Sequence, residues 1–206
     1  MADRNEPLRE QDVAADPLAQ FAAWSAQARE AGVREVEAAA LATASADGVP
    51  SVRMLLVKSF DERGFVFFTN YASQKGRELA ANPSAALLFH WDPLGRQVRI
   101  AGRVELASDT ETESYVRTRA RSSQLSALAS PQSEVVDSRD ALELGVAELA
   151  RRYADDAELP LPSGWGGFRL APATYEFWQQ RSDRLHDRLR YRRAVDGDWM
   201  IERLAP

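Results

Sequence analysis

The chain has 206 residues, 45% hydrophobic and 28% charged, with a formal net charge of −5 at pH 7; this length suits one compact domain with added helices, and the acidic balance disfavours nucleic acid or an anionic membrane surface as partner. It has no cysteine and only two histidines, His90 and His186, which excludes disulfides, thiolate nucleophiles and cysteine-held metals, argues against a histidine-rich metal site, and fits a cytoplasmic protein. No apolar run approaches the roughly 20 residues that span a bilayer, and the polar start Met1-Ala2-Asp3-Arg4-Asn5-Glu6 has no apolar signal core.

Residues 1–15 are polar and aperiodic, which predicts a mobile arm ahead of a single domain over 16–206. Asp16-Pro17 opens a helix as N-cap and first residue; Leu18, Phe21, Ala22 and Trp24 give it an apolar stripe, and Gly32 ends it. Strands are expected over 38–46, 51–60 and 65–69, joined by turns at Asp47-Gly48 and Asp61-Glu62-Arg63-Gly64. A short helix over 73–81 ends at Asn82-Pro83, and strands 84–91 and 97–106 flank Asp92-Pro93-Leu94-Gly95. Helices follow over 108–129 and 139–153. The turn-rich Pro160-Leu161-Pro162-Ser163-Gly164 leads into strands near 165–178, 184–193 and 198–203. Strands joined by tight turns predict an antiparallel barrel with helices around it, a mainly β, α+β architecture rather than a doubly wound sheet.

Five constellations carry chemistry. In Arg184-Leu185-His186-Asp187-Arg188-Leu189-Arg190-Tyr191, strand alternation places Arg184, His186, Arg188 and Arg190 on one face. Arginines beside an imidazole suit an anionic ligand and a moving proton. Tyr115, Arg119 and Ser123 fall at i, i+4 and i+8, one stripe of a helix, and all can donate to phosphate oxygens. Lys75 sits in the first turn of the helix opened by Ser73, against the helix dipole, a conflict that a bound phosphate reverses. Arg53 and Lys58 have opposite parity on one strand: either they serve different groups of the ligands, or a bulge turns one of them. Finally, Gly166-Gly167 beside Trp165 offers backbone that a flat ligand can approach closely. There is no Walker loop and no Gly-x-Gly-x-x-Gly.

In chain order these segments resemble the pyridoxamine 5'-phosphate oxidase family. The resemblance rests on Arg53-Met54-Leu55-Leu56-Val57-Lys58, Phe67-Phe68-Thr69-Asn70 through Lys75, Gly95-Arg96-Gln97-Val98, Ser122-Ser123-Gln124 through Gln132-Ser133, Trp165-Gly166-Gly167-Phe168-Arg169, Glu176-Phe177-Trp178-Gln179, Arg184-Leu185-His186-Asp187-Arg188 and the closing Glu202-Arg203-Leu204-Ala205-Pro206. It implies an FMN-binding split β-barrel of antiparallel Greek-key type and a homodimer with active sites at the interface. It implies FMN contacts from Arg53, Met54, Leu55, Leu56, Val57, Lys58, Phe68, Thr69, Gln74, Lys75, Gln97, Gln132, Ser133, Trp178 and Arg188. It further implies Lys58, Tyr115, Arg119 and Ser123 on the substrate phosphate, and Arg184 and His186 over the substrate ring as catalytic residues. The implied reaction oxidises pyridoxamine or pyridoxine 5'-phosphate to pyridoxal 5'-phosphate, passing a hydride from C4' to the flavin, with O2 as acceptor and H2O2 as product.

Some positions depart from the family pattern. The arm lacks an Arg-x-x-Tyr element, Gln74 stands where arginine is usual, and Ala120, Ser126 and Leu128 replace Pro, Gly and Trp. Gln74 through Leu79 also resembles related flavin oxidases of phenazine biosynthesis. Two alternatives therefore stand beside the vitamin B6 oxidase: an FMN oxidase of secondary metabolism, and a non-catalytic flavin- or B6-phosphate-binding protein.

Overall fold

The computed structural model describes residues 6–153, 157–162 and 164–206. The Asp16 carboxylate accepts from the Leu18 and Ala19 amides and Pro17 stands first in the helix, so α1 (Pro17–Glu30) begins where capping chemistry places it. The buried Phe21 of α1 meets Phe60, Phe65 and Phe89 edge-on at 4.9–5.0 Å. Trp24 is equally buried, against Phe177.

Eight strands follow the expected turns: β1 (Ala38–Ala44), β2 (Pro50–Asp61), β3 (Gly64–Asn70), β4 (Ser84–Trp91), β5 (Arg96–Leu106), β6 (Trp165–Gln179), β7 (Asp187–Arg193) and β8 (Trp199–Arg203). They pair antiparallel in the order β3-β2-β1-β4-β5-β6-β7-β8. β4 returns beside β1, the Greek-key arrangement. β3 also pairs with β6, which closes β1 to β6 into a six-stranded barrel and leaves β7 and β8 as an extension. The closure depends on the length of β6. Its first residues, Trp165–Leu170, pair with β3, and its last, Thr174–Gln179, pair with β7. Alternate residues point inward, so Leu41, Leu87, Phe89, Val98, Ile100, Leu170 and Phe177 make a solvent-free interior.

The barrel is wrapped by α2 (Gln74–Ala81), α3 (Asp109–Thr118), α4 (Arg121–Ala129) and α5 (Arg139–Arg152). The helix expected over 108–129 is therefore two. Arg119 and Ala120 are extended, with ψ of 145° and 140°. No glycine or proline marks this break; it swings the Arg119 guanidinium onto the Trp165 ring, 4.7 Å from its centroid. The stripe Tyr115–Arg119–Ser123 is accordingly not one helical face.

The strand expected from 184 begins at Asp187. Arg184 has φ +69°, and a turn over 181–186 replaces the first strand residues. Arg184 and His186 thus do not share a strand face with Arg188 and Arg190.

Residues 6–15, expected as mobile, are docked in the structure, while 1–5 lie outside the described residues. The Leu8 amide donates to the Asp187 carboxylate at 3.1 Å, Arg203 holds the Leu8 carbonyl and the Glu10 carboxylate, and the Tyr191 hydroxyl donates to Ala14 O. These partners lie more than 170 residues away in sequence, so local periodicity does not reveal them.

Candidate active site

The expected residues assemble into three groups. In the first, Ser73 caps α2 by accepting from the Gly76 amide, which carries Lys75 back over the end of β3. The Lys75 ammonium reaches Thr69 Oγ1 at 3.2 Å and Gln132 Oε1 at 3.1 Å, and the Thr69 hydroxyl donates to the same Gln132 oxygen. Arg53 donates to Thr43 Oγ1 and Ser51 Oγ, both at 2.5 Å, and meets Glu78 at 3.3 Å. Burial and the nearby Arg53 guanidinium lower the Lys75 pKa, while Glu78 opposes them. Burial works against ionisation of Glu78, but donors from Ser51, Thr43, Gln74 and Arg53 outweigh it and hold its pKa at about 2. Two cations thus share one carboxylate beside a helix start, and an anionic phosphate fits that imbalance. Gln74 is turned inward to Glu78 Oε1, 2.9 Å away. Ser133 has φ +75°, directly after Gln132.

The second group surrounds an aromatic stack. The Tyr115 ring lies on Phe68 at 4.0 Å with 16° between planes, and Trp165 stacks alongside. Burial raises the Tyr115 hydroxyl pKa, with Arg119 pulling the other way. Lys58, Phe68 and Tyr115 line one cleft of ≈ 400 Å³. Arg119, Gln132 and Trp165 line another of ≈ 210 Å³. Arg119 Nη1 is buried and has no hydrogen-bond partner among the described residues. Ser123 lies half-buried in the first turn of α4. The parity of Arg53 and Lys58 is resolved by a bulge: the β2–β3 register runs Val57–Phe67 and then Ser59–Val66, skipping Lys58. Between them, Val57 is buried in the core and Leu55 packs against it, while Met54 is 66% exposed on the outer face and Leu56 is half-buried. The glycines 166 and 167 have a requirement inside the protein itself: a Cβ on them would strike the Tyr71 hydroxyl at 2.1 Å and the Phe68 ring at 2.9 Å. They admit the protein's own rings.

The third group sits at the far end of β6. Gln97 pairs with Trp178, and Trp178 pairs with Arg188, across β5, β6 and β7. Arg188 donates to Glu176 at 2.8 Å and to the Ala205 carbonyl at 2.8 Å. The His186 imidazole lies 4.7 Å from the Trp178 ring, and Arg184 is exposed beside it. Thr69 of the first group pairs with Gly166. From Gly166 to Trp178 is twelve residues, about 35–40 Å along the strand. One chain therefore holds the first and third groups at opposite ends of β6.

Comparison with known proteins bears directly on this arrangement. Residues 25–153 match the family described as pyridoxamine 5'-phosphate oxidase, and residues 165–206 match the pyridoxine 5'-phosphate oxidase C-terminal dimerisation region. The chain belongs to the pyridoxamine 5'-phosphate oxidase family. A relative from Salinibacter ruber named pyridoxine/pyridoxamine 5'-phosphate oxidase is 52% identical, covering 97% of this chain and 93% of its own. One of the same name from Ralstonia pickettii is 54% identical, covering 95% and 91%. The crystal structure of PhzG from Burkholderia lata in complex with tetrahydrophenazine-1-carboxylic acid superposes with a TM-score of 0.91 at 36% identity, over 98% of this chain and 100% of that one.

Within this oxidase-family chain, the sequence reading missed Glu78 and undervalued Trp165. Glu78 collects hydroxyls from β1 and β2 and an amide from its own helix; only the Gln74–Glu78 spacing of four residues hinted at it. The dimerisation match, 165–206, contains all of the third group except Gln97. No helix among the described residues is long and apolar enough to cross a membrane.

Proposed function

We propose that this chain is an FMN-dependent oxidase converting pyridoxamine 5'-phosphate or pyridoxine 5'-phosphate to pyridoxal 5'-phosphate, acting in the cytoplasm. FMN, when bound, supplies the two-electron acceptor for this oxidation, with O2 taking the electrons onward to H2O2. The observation that carries the reading is the buried, partnerless Arg119 Nη1 beside Tyr115. An orphaned guanidinium nitrogen costs about 1–3 kcal/mol; an anionic substrate group relieves it.

The chain's own residues divide the work. Arg53, Lys75, Thr69, Gln132 and the Ser73-capped helix start hold the FMN phosphate. Arg119, Tyr115, Lys58 and Ser123 hold the substrate phosphate, and Phe68 backs the Tyr115 ring. Gln97, Trp178 and Arg188 flank the flavin from a second copy of the chain, because the length of β6 keeps them from their own first group. Arg184 and His186, next to Trp178, orient the substrate ring and stabilise charge near C4', so that the donor carbon is held close to its acceptor. The outer face of β1, β2 and β4 presents Val52 (68% exposed), Met54, Ala40, Ala42 and Leu88, an apolar surface continuous across the strands and suited to a homodimer.

The likeness to PhzG favours a second reading, oxidation of a phenazine precursor. One experiment separates them. Purified protein is expected to be yellow, to release FMN on denaturation, and to form peroxide with pyridoxamine or pyridoxine 5'-phosphate. Peroxide only with a tetrahydrophenazine carboxylate favours the second reading, and a colourless protein that gains no flavin absorbance with added FMN refutes both.

A further inference from the structure

The turn that replaces the expected start of β7 fixes the chemistry of His186. Arg181 and His186 close it: the Arg181 backbone N–H donates to His186 Nδ1 at 3.1 Å. The Arg184 amide donates to Arg181 O, and the Leu185 amide donates to the Asp183 carboxylate at 3.0 Å. Both flanks are pinned. The Gln180 amide donates to Gly95 O, and the buried Asp187 accepts from Leu8 N and from Arg203 Nη1 at 2.7 Å. The Trp178 ring packs against the imidazole, with centroids 4.7 Å apart and planes tilted by 43°.

A backbone amide can only donate, so Nδ1 must present its lone pair to it. A neutral imidazole carries one proton, and with Nδ1 accepting, that proton resides on Nε2. The two nitrogens lie on either side of Cε1, so Nε2 faces away from the turn. Resting on the reading that 184–186 contact the substrate, we infer that His186 acts as a neutral hydrogen-bond donor through Nε2–H, with the Arg181 amide as its positioning group, and not as a base. Such a donor polarises an electron-rich substrate oxygen or nitrogen and orients the ring; it accepts no proton during turnover. Of the two roles that the sequence leaves open for His186, proton movement and positioning, it performs the second.

The chain has only two histidines, which makes the test direct. In FMN-loaded protein labelled with 15N-histidine, with His90→Asn used to assign the signals, His186 is expected to show a protonated Nε2 and an unprotonated Nδ1. Glutamine places an amide N–H near the Nε2 position, whereas asparagine places it near Nδ1. His186→Gln is therefore expected to keep kcat/KM within about threefold of wild type, with His186→Asn and His186→Ala losing at least tenfold. A protonated Nδ1, or a glutamine variant as impaired as the alanine variant, overturns the proposal. The NMR measurement needs no turnover: an Nε2–H signal in a protein that oxidises neither pyridoxamine nor pyridoxine 5'-phosphate leaves the tautomer standing and refutes the proposed reaction instead.

Discussion

Replacing Arg119 with alanine tests the substrate-phosphate assignment with two opposing signatures. A hydrogen bond between charged groups contributes about 1.5–3 kcal/mol, so loss of Arg119 should weaken pyridoxine 5'-phosphate binding by roughly 10- to 150-fold. Stability should respond differently. Alanine removes a buried nitrogen that has no partner, a relief of about 1–3 kcal/mol. It also removes the guanidinium from the Trp165 face, a loss of about 0.5–2 kcal/mol. The terms nearly cancel, and at about 2–4 °C per kcal/mol for a chain of this size, Tm should stay within about 4 °C of wild type. Anaerobic stopped-flow reduction of bound flavin reads the first signature: the concentration dependence gives substrate affinity, and the plateau gives the chemical step. Arg119→Lys keeps the charge without the planar fork and should lose less. Unchanged substrate affinity, or flavin lost before substrate, would refute the assignment; a large fall in Tm would mark Arg119 as a structural prop.

Three further outcomes are expected. Arg184→Ala should retain FMN and lose at least about tenfold in kcat/KM, about 1.4 kcal/mol of transition-state stabilisation, whereas Arg188→Ala should lower FMN affinity first and leave Glu176 paired with Arg99; a wild-type rate of flavin reduction in the first variant sinks its role. Met54→Glu places a charge on the exposed apolar face and should shift light scattering from about twice the 22.9 kDa chain mass to the monomer, with loss of flavin; a yellow, active monomer contradicts the shared site. Glu78 has a folded-state pKa of about 2 against an ordinary 4.5, so its stabilisation is complete above pH 4.5 and disappears as pH falls through 2. Chemical denaturation should find Glu78→Gln less stable than wild type at pH 7, by about 3 kcal/mol at most, with the gap closing between pH 4.5 and 2; a gap independent of pH removes the carboxylate from the explanation.

The parts of the fold that were legible in the sequence are those set by neighbours in the chain. The turns at Gly48, Gly64 and Gly95 carry φ of +82°, +132° and +61°, which glycine alone adopts freely. Asp16-Pro17 and Ser73 open helices because their side chains cap free amides. The misread segments are set by distant partners. No glycine or proline in Val116 to Ser123 breaks the helix locally; the break coincides with distant contacts, Arg119 over the Trp165 ring and Arg121 donating to the Tyr153 and Ala157 carbonyls. The turn at 181–186 looks like a strand by alternation, yet Arg184 adopts a left-handed backbone, and its closing bond runs to a histidine ring rather than a neighbouring strand. The arm over 6–15 looks unattached because its anchors, Asp187, Tyr191 and Arg203, lie at the other terminus.

The candidate site shows the same division. The kinds of residue gathered in these groups stood out in the sequence by their chemistry and by the family resemblance: cations for phosphates, an imidazole beside arginines, hydroxyls within reach. Their grouping did not. Arg53 and Lys58 stand five apart, and only the skipped register at Lys58 decides where the lysine goes. Glu78 was invisible because its partners come from two strands and its own helix. Most of all, order along the chain says that Lys75 and Trp178 are both present, but not that the pairings of β6 set their groups at its opposite ends, from Gly166 to Trp178. A single mononucleotide is short against the length of that strand. If both ends serve one flavin, each site must take its phosphate group of residues from one copy and its Gln97–Trp178–Arg188 group from another. The same geometry then makes dimerisation a condition of activity, since separating the copies leaves every flavin with half of its contacts.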